Sequence, residues 1–224
     1  MTEGERALRE AIVTQCRWMN ASGLNQGTSG NISARHEDAM LITPSAVPYE
    51  DLDPGMIVRM PLSAEDGRFE GSLRPSTEWR FHRDILRARP EFGAVVHTHS
   101  PHATALSMLR REIPACHYMI AAFGGSTIRC ADYATFGTAE LSRNALVALE
   151  DRKGCLLANH GMIVADEDLA RAMWLAVELE TLARQYVIAV QIGTPFVLDD
   201  AEIERMQRAF AGYGLRPATQ ASEE

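Results

Sequence analysis

Two histidines stand two residues apart at the end of an apolar segment, AVVHTHS, which spans residues 94–100. Successive side chains of a β-strand point to opposite faces, so His97 and His99 are expected on the same face. Two neutral imidazoles at that spacing suit a zinc ion. The alternative interpretation is a pair of surface histidines that hydrogen-bond to each other.

His160 follows a second apolar segment, CLLAN, and precedes Gly161. This position predicts the end of a strand, where α/β folds usually gather ligands and chemistry. Three histidine ligands leave one coordination position open, which is the arrangement of catalytic zinc sites. Asn-His-Gly is also compatible with a simple turn, so His160 is a candidate ligand chiefly because of His97 and His99.

Ser76 and Thr77 are candidates to begin and cap a helix, with Glu78 in its first turn. A carboxylate there is stabilised by the helix dipole, so capping alone would explain Glu78. Beside a metal, Glu78 could instead transfer a proton, or bind the metal when substrate is absent. The free N–H groups and two hydroxyls of the same helix start also form a potential anion site. The glycine-rich turn 27–31 and the turn 43–46 could add donors, although most such turns bind nothing.

The remaining histidines include His36, in a polar turn, and His82, in a helix with charged neighbours. Neither is expected to have a functional role.

Periodic and alternating patterns predict the elements that must position these residues. Helices are expected at 4–22, from 76 onward, from Pro101 onward, at 138–149, at 167–192 and from 199 to about 212. Short strands are expected at 31–35, 39–43, 56–60, 93–100, 127–130, 154–158 and 161–165. Helices interleaved with short strands predict an α/β sheet sandwiched by helices. We expect one domain over residues 1–216 and a frayed tail over 217–224.

Composition narrows the possible functions. The 224 residues carry a net charge of −8, and the pI is about 5.4. This charge argues against nucleic-acid partners, although a local pocket can still bind a small anion. The charged N-terminus lacks the apolar core of a signal peptide, and no stretch is apolar enough to span a membrane. Four cysteines without paired spacing predict reduced thiols, and we expect a cytoplasmic protein.

Seven motifs between Gly23 and Gly161 together resemble the class II aldolase/adducin family, most closely its members that cleave fuculose 1-phosphate. They are GLNQGTSGNIS, LITPSAVPYE, PSTEWRFH, AVVHTHSPH, IPACHYMIAAFGG, ADYATFG and ANHGM. The resemblance covers nearly the whole chain. It implies a single-domain three-layer α/β/α sandwich around a mainly antiparallel sheet. It also implies a homotetramer with active sites between subunits.

The resemblance assigns roles to individual residues. One zinc per subunit would be bound by His97, His99, His160 and Glu78, and Glu78 would also be the catalytic acid or base. The residues implied to bind the phosphate are Gly30, Asn31, Ser45, Ala46, Ser76 and Thr77. Tyr118 would act from a neighbouring subunit. The residues implied to surround the aldehyde are Phe136, Phe210 and Tyr213. Two departures affect phosphate binding. The fuculose pattern has Thr-Gly where this chain has Ser45-Ala46, and a serine where it has Thr77. Both changes retain a hydroxyl, but alanine resists some conformations open to glycine.

The resemblance implies reversible retro-aldol cleavage of a ketose 1-phosphate to dihydroxyacetone phosphate and a short aldehyde, such as lactaldehyde. The metal would stabilise the charge of the enediolate, and Glu78 would exchange a proton with it. Other activities in the family are 4-epimerisation, dehydration of methylthioribulose phosphate and decarboxylation of sugar acids. The epimerase pattern has aspartate at this site, so Glu78 favours an aldolase. A non-catalytic adducin-like domain is not expected to retain the metal ligands.

Overall fold

A seven-stranded sheet forms the centre of the computed structural model, which describes residues 1–210. The strands in chain order are β1 (Asn31–His36), β2 (Ala39–Ile42), β3 (Val58–Pro61), β4 (Ala94–Thr98), β5 (Ile113–Pro114), β6 (Thr127–Ile128), β7 (Cys130–Ala131), β8 (Gly154–Leu157) and β9 (Gly161–Asp166). The large sheet has the order β3-β2-β1-β4-β9-β8-β7, while β5 and β6 form a separate pair. All neighbours in the large sheet are antiparallel except β7 and β8. The mainly antiparallel sheet implied by the resemblance is therefore confirmed.

In the described part of the chain, six α-helices accompany the sheet: α1 (Glu3–Ser22), α2 (Trp79–Ala88), α3 (Pro101–Met108), α4 (Ala139–Ala148), α5 (Leu169–Ile192) and α6 (Asp200–Phe210). Their ends follow the local sequence. The Thr138 side chain caps the start of α4, and the Asp168 side chain caps the start of α5. Gly23 ends α1 in the left-handed conformation, with φ of 76°.

Alternation along the central strands divides the core into two apolar layers. Val96 of β4 and Val164 of β9 pack in the layer that contains buried residues of α1, α3 and α5. Val95 and Ile163 belong to the opposite layer, with buried residues of α2 and α4. Helices thus cover both faces of the sheet, and the predicted three-layer sandwich is confirmed. His97 is on the α2 side of β4, where its ring meets Phe81 edge-on.

Two expectations about the elements need correction. The helix expected from Ser76 begins at Trp79, and Glu78 is its N-cap residue without a capping side-chain bond. The Ser76 hydroxyl instead accepts a hydrogen bond from the Glu78 N–H, which holds 76–78 as a turn before the helix. The single strand expected at 127–130 is divided between β6 and β7, which belong to different sheets.

Within residues 1–210, none of the helices combines the length and the apolar character needed to cross a membrane. All four cysteines lie in this part of the chain, and each is a free thiol.

Candidate active site

Three imidazoles converge at one edge of the central sheet. His97 belongs to β4, His99 follows that strand directly, and His160 lies in the turn between β8 and β9. The ligand atoms of the three rings all lie within 4.8 Å of one another. Nε2 of His97 is 3.1 Å from Nε2 of His99. The antiparallel pairing of β4 with β9, and of β9 with β8, places the turn that carries His160 beside the end of β4.

Gly161 permits this close approach. A Cβ at this position would lie 2.5 Å from the Thr98 carbonyl oxygen and 2.9 Å from Cδ2 of His99. Both distances are shorter than any van der Waals contact, so a larger residue would push His160 or β4 away from the cluster. The glycine of the Asn-His-Gly sequence therefore has a packing role beside its role in the turn.

The orientation of the His97 ring is fixed by the backbone of β9. Nδ1 of His97 lies 2.8 Å from the Met162 carbonyl oxygen. A carbonyl can only accept, so Nδ1 carries the proton and donates it. The lone pair on Nε2 then points to the other two rings, which is the arrangement of a metal-binding histidine held by an outer hydrogen bond.

The Glu78 carboxylate completes the cluster from the start of α2. Its Oε2 lies 3.2 Å from Nε2 of His97, and its Oε1 lies 3.2 Å from Nε2 of His160. The residue is only 5% exposed. Burial by itself would raise the pKa of Glu78, but the His97 and His160 imidazoles outweigh this and hold it well below its ordinary range. The carboxylate is therefore ionised in the folded protein.

The His99 ring is neutral near neutral pH. Burial, followed by the neighbouring His97 and His160 rings, lowers the pKa of His99 to about 4. A neutral imidazole has a free lone pair, as metal binding requires.

Three ring nitrogens and one carboxylate are a donor set that suits zinc. Oε1 of Glu78 is buried and has no well-formed hydrogen bond with any residue in the described part of the chain. Nε2 of His97 and Nε2 of His99 lie only 3.1 Å apart, so a single ion could contact both nitrogens. A shared cation would satisfy all of these atoms, so the residues fit a zinc ion.

The segments predicted to bind phosphate are brought together beside the carboxylate. The Ser76 N–H donates to the Thr43 carbonyl, and the Ser45 N–H donates to the Arg74 carbonyl. The turn 43–46 thus lies against the turn before α2. Both N–H groups are therefore used within the protein, and that of Ser76 is not free, contrary to the expectation for the helix start. Thr77 is exposed and keeps its hydroxyl at the cleft. Ala46 has φ of 59°, which is the left-handed conformation that glycine adopts more easily.

A cleft of about 330 Å³ opens beside the histidines. It is lined by Thr28, Ser29, Thr77, Glu78, His99, Tyr133, Ala134, Phe136, Asn159 and His160. Phe136, which was predicted near the aldehyde, is 63% exposed and forms part of this wall. Gly137, with φ of 74°, would place a Cβ 2.8 Å from the Thr77 carbonyl, so the Phe136 loop packs closely on Thr77. Tyr133 and Asn159 were not predicted individually, although they belong to the motifs ADYATFG and ANHGM.

Tyr118 and Phe210 meet at a different place. Their rings stack with centroids 6.3 Å apart and planes at 9°. Neither residue lines the cleft beside the histidines. Tyr118 is 48% exposed, so its side chain is accessible on a single subunit. Tyr213, which was predicted with them, lies outside the described residues.

A chain of buried side chains contacts the carboxylate from behind. Nδ2 of Asn31 donates to Oε2 of Glu78 at 3.0 Å, and Oδ1 of Asn31 contacts Nε2 of His82. Nδ1 of His82 lies 2.8 Å from the Ser33 hydroxyl. Burial lowers the pKa of His82 to about 3, so this ring is neutral.

His82 was expected in a helix with charged neighbours, where it does lie, but its contacts were not predicted. Its side chain is completely buried and is linked to Glu78 through Asn31. Two spacings carried this signal in the sequence. Glu78 and His82 are four residues apart, which is one turn of a helix. Asn31 and Ser33 are two apart on β1, so they share a face.

Comparison with known proteins gives a family match over most of the chain. Residues 10–187 match the model described as "Class II Aldolase and Adducin N-terminal domain".

Two relatives are similar over almost their full length. A protein of Rhodospirillum rubrum described as 5-methylthioribulose-1-phosphate/5-deoxyribulose-1-phosphate aldolase is 51% identical over 208 residues, covering 93% of each chain. An L-fuculose phosphate aldolase of Escherichia coli is 49% identical over 210 residues, covering 93% of this chain and 96% of the relative. Among solved structures, an L-fuculose 1-phosphate aldolase superposes with a TM-score of 0.88 at 36% identity, over 92% of this chain and 96% of that one.

Proposed function

Because this chain belongs to the class II aldolase and adducin family, we propose that it is a zinc-dependent aldolase. Its substrate is a ketose 1-phosphate, which it cleaves reversibly to dihydroxyacetone phosphate and a short aldehyde. One observation carries this proposal: the Glu78 carboxylate lies 3.2 Å from two of three converging imidazoles, at the edge of a cleft. That arrangement combines a metal-binding set with a group able to transfer a proton.

His97, His99 and His160 would hold the zinc ion, whose chemical contribution is that of a Lewis acid for the substrate oxygens. During cleavage, the C4 hydroxyl of the ketose loses its proton and the C3–C4 bond breaks. The electron pair stays with the dihydroxyacetone phosphate fragment as an enediolate, and C3 takes a proton from Glu78. Because the Glu78 carboxylate is ionised in the free protein, it takes up that proton from water before the bond breaks. In the synthetic direction the Glu78 carboxylate removes that proton. The buried position of Glu78 keeps competing water away from the transfer.

The phosphate is proposed to bind where the turns 27–31, 43–46 and 75–78 meet. The hydroxyls of Ser45 and Thr77, with Gly30, Asn31, Ala46 and Ser76, are the candidate groups. The short contacts between the turns 43–46 and 75–78 support this placement. The dianionic phosphate would supply a fixed anchor, so that C3 of the ketose is presented to Glu78.

Tyr118, Phe210 and Tyr213 are proposed to act across a subunit interface. The Tyr118 hydroxyl would accept the proton of the C4 hydroxyl while it releases its own proton to water. The exposed Tyr118 ring, which does not line the cleft of its own chain, supports this assignment. We accordingly propose a homotetramer whose active sites lie between subunits, and the cytoplasm as its compartment.

Fuculose 1-phosphate, which gives lactaldehyde, is the first candidate substrate. A second candidate is 5-methylthioribulose or 5-deoxyribulose 1-phosphate, and a feature of the cleft favours it. Tyr133, Ala134 and Phe136 give one wall an apolar character that suits a methylthio or methyl group. The relative from Rhodospirillum rubrum carries both of these substrates in its description.

The test is a product assay with a panel of ketose 1-phosphates: fuculose, rhamnulose, ribulose, 5-deoxyribulose and 5-methylthioribulose. Each is incubated with zinc-loaded protein and, in parallel, with protein and EDTA. Release of dihydroxyacetone phosphate and an aldehyde, abolished by EDTA, is the expected result. Epimer formation, loss of water or loss of carbon dioxide would assign a different activity of the family, and cleavage that resists EDTA would exclude the metal site.

A further inference from the structure

Behind the Glu78 carboxylate lies a row of four polar side chains that is almost sealed from solvent. Ser33 and His82 are completely buried, and Asn31 and Glu78 are 4% and 5% exposed. Each contacts the next: Ser33 with His82, His82 with Asn31, and Asn31 with Glu78. Because solvent does not reach this row, each donor must find its acceptor inside it.

The orientation of the Asn31 amide determines the direction of every hydrogen bond in the row. Its NH₂ group donates to Oε2 of Glu78, at 3.0 Å. The amide oxygen of Asn31 then faces Nε2 of His82, which must carry a proton to donate to it. Nδ1 of His82 is consequently the acceptor, and it receives the hydroxyl hydrogen of Ser33 at 2.8 Å. The opposite arrangement would set the Asn31 oxygen against the Glu78 carboxylate.

We propose that His82 is a positioning residue that fixes the Asn31 amide and, through it, the orientation of the Glu78 carboxylate. This inference rests on the proposed role of Glu78 as the proton-transferring group. The N–H of His82 makes an amide flip of Asn31 unfavourable, because the flipped amide would bring two donors together. Asn31 thereby holds Oε2 in place, while the Ser76 hydroxyl holds the Glu78 backbone N–H. Oε1 remains as the oxygen that points to His160 and the cleft.

The first experiment reads the proton position directly and does not depend on activity. Metal-free protein with ¹⁵N-labelled histidine is studied by NMR, and His82→Gln identifies the His82 signals by their loss. The neutral tautomer with the proton on Nε2 is expected. A proton on Nδ1, or on both nitrogens, would overturn the proposal whatever the protein catalyses.

The second experiment measures two reactions of zinc-loaded variants: ketose phosphate cleavage and exchange of the C3 proton of dihydroxyacetone phosphate with D₂O. His82→Phe retains the ring and its stacking on Phe81, at 4.7 Å between centroids, but cannot donate to Asn31. Its kcat for cleavage and its exchange rate should both fall roughly 10- to 100-fold, with KM and zinc content little changed. His82→Gln retains an N–H donor and should recover most of both rates.

Two further variants separate positioning from a general loss of stability. Ile85→Val removes a methylene from the buried face of the same helix and should leave both rates unchanged. Ser33→Ala removes the donor to His82 Nδ1 without threatening the fold, and should lower both rates several-fold. The proposal is overturned if both His82→Phe and Ser33→Ala react at the wild-type rates. If His82→Phe does not fold, wild-type rates in Ser33→Ala are enough to overturn it. A wild-type protein that neither cleaves nor exchanges would instead refute the proposed function, while the NMR result still decides the role of His82.

Discussion

Oε1 of Glu78 lies 3.2 Å from Nε2 of His160, although one residue precedes α2 and the other lies in the turn between β8 and β9. The same carboxylate contacts Nε2 of His97 through its other oxygen. A buried carboxylate held between two imidazoles is a costly arrangement unless a cation or protons compensate it. The relationship therefore supports the proposed metal site and the proposed role of Glu78 in proton transfer.

Loss of one imidazole should impair metal binding. His99→Asn removes one of three converging nitrogens. Loss of a residue that only hydrogen-bonds to a metal ligand typically lowers metal affinity roughly 10- to 100-fold, so loss of a ligand itself should lower zinc affinity by more than that. Competition with a chelating dye measures the affinity. His36→Asn is the control, since His36 lies at the far end of β1 from Asn31 and outside the cluster. Equal zinc affinity in the two variants would contradict the assignment of His99 as a ligand.

Removal of the Thr77 hydroxyl should weaken binding of the phosphate more than it slows chemistry. A hydrogen bond to a charged group contributes about 1.5–3 kcal/mol, so Thr77→Val should raise KM by roughly 10- to 100-fold with kcat little changed. Steady-state kinetics with the preferred ketose phosphate test this. Thr77→Ser retains the hydroxyl and should behave like the wild type. A fall in kcat at constant KM would place Thr77 at the reacting carbons rather than at the phosphate.

His82 should make the stability of the metal-free protein depend on pH. Its pKa is about 3 in the folded protein and about 6.5 in an unfolded chain. Between these values the unfolded state binds a proton that the folded state does not, so stability falls as pH falls from about 6.5 towards 3. Uptake of one such proton on unfolding lowers the free energy of unfolding by up to about 1.4 kcal/mol for each pH unit.

Urea unfolding between about pH 7 and pH 5 measures this contribution. The wild type should lose stability more steeply than His82→Phe, which has no proton to bind at this position. Ile85→Val is the control, because it lowers stability by about 0.5–1.5 kcal/mol without removing a titrating group. Parallel slopes for wild type and His82→Phe would mean that His82 does not titrate differently in the two states.

The three candidate metal-binding histidines could be found from the sequence because the patterns that point to them are local. The alternation of a strand relates His97 to His99 over two residues, and a strand end places His160. What the sequence did not contain was the order of the strands. Only the pairing of β9 with both β4 and β8 brings His160 beside the other two rings.

The contacts of the Asn31 side chain and of His82 were missed for the same reason. The family resemblance assigned Asn31 to phosphate, and its side-chain amide also donates to Glu78. Each residue looks ordinary in its own segment, with His82 surrounded by arginines and an aspartate. Their relationship exists only because α2 packs over β1, which is a property of tertiary structure that periodicity does not encode.

The most direct test of the whole account is the activity of Glu78→Gln with its zinc content measured in the same sample. The amide keeps the size of the side chain but cannot exchange a proton with C3 of the substrate. The account predicts near one zinc per chain and no detectable release of dihydroxyacetone phosphate. A zinc-replete Glu78→Gln variant that cleaves the ketose phosphate at the wild-type rate would contradict it.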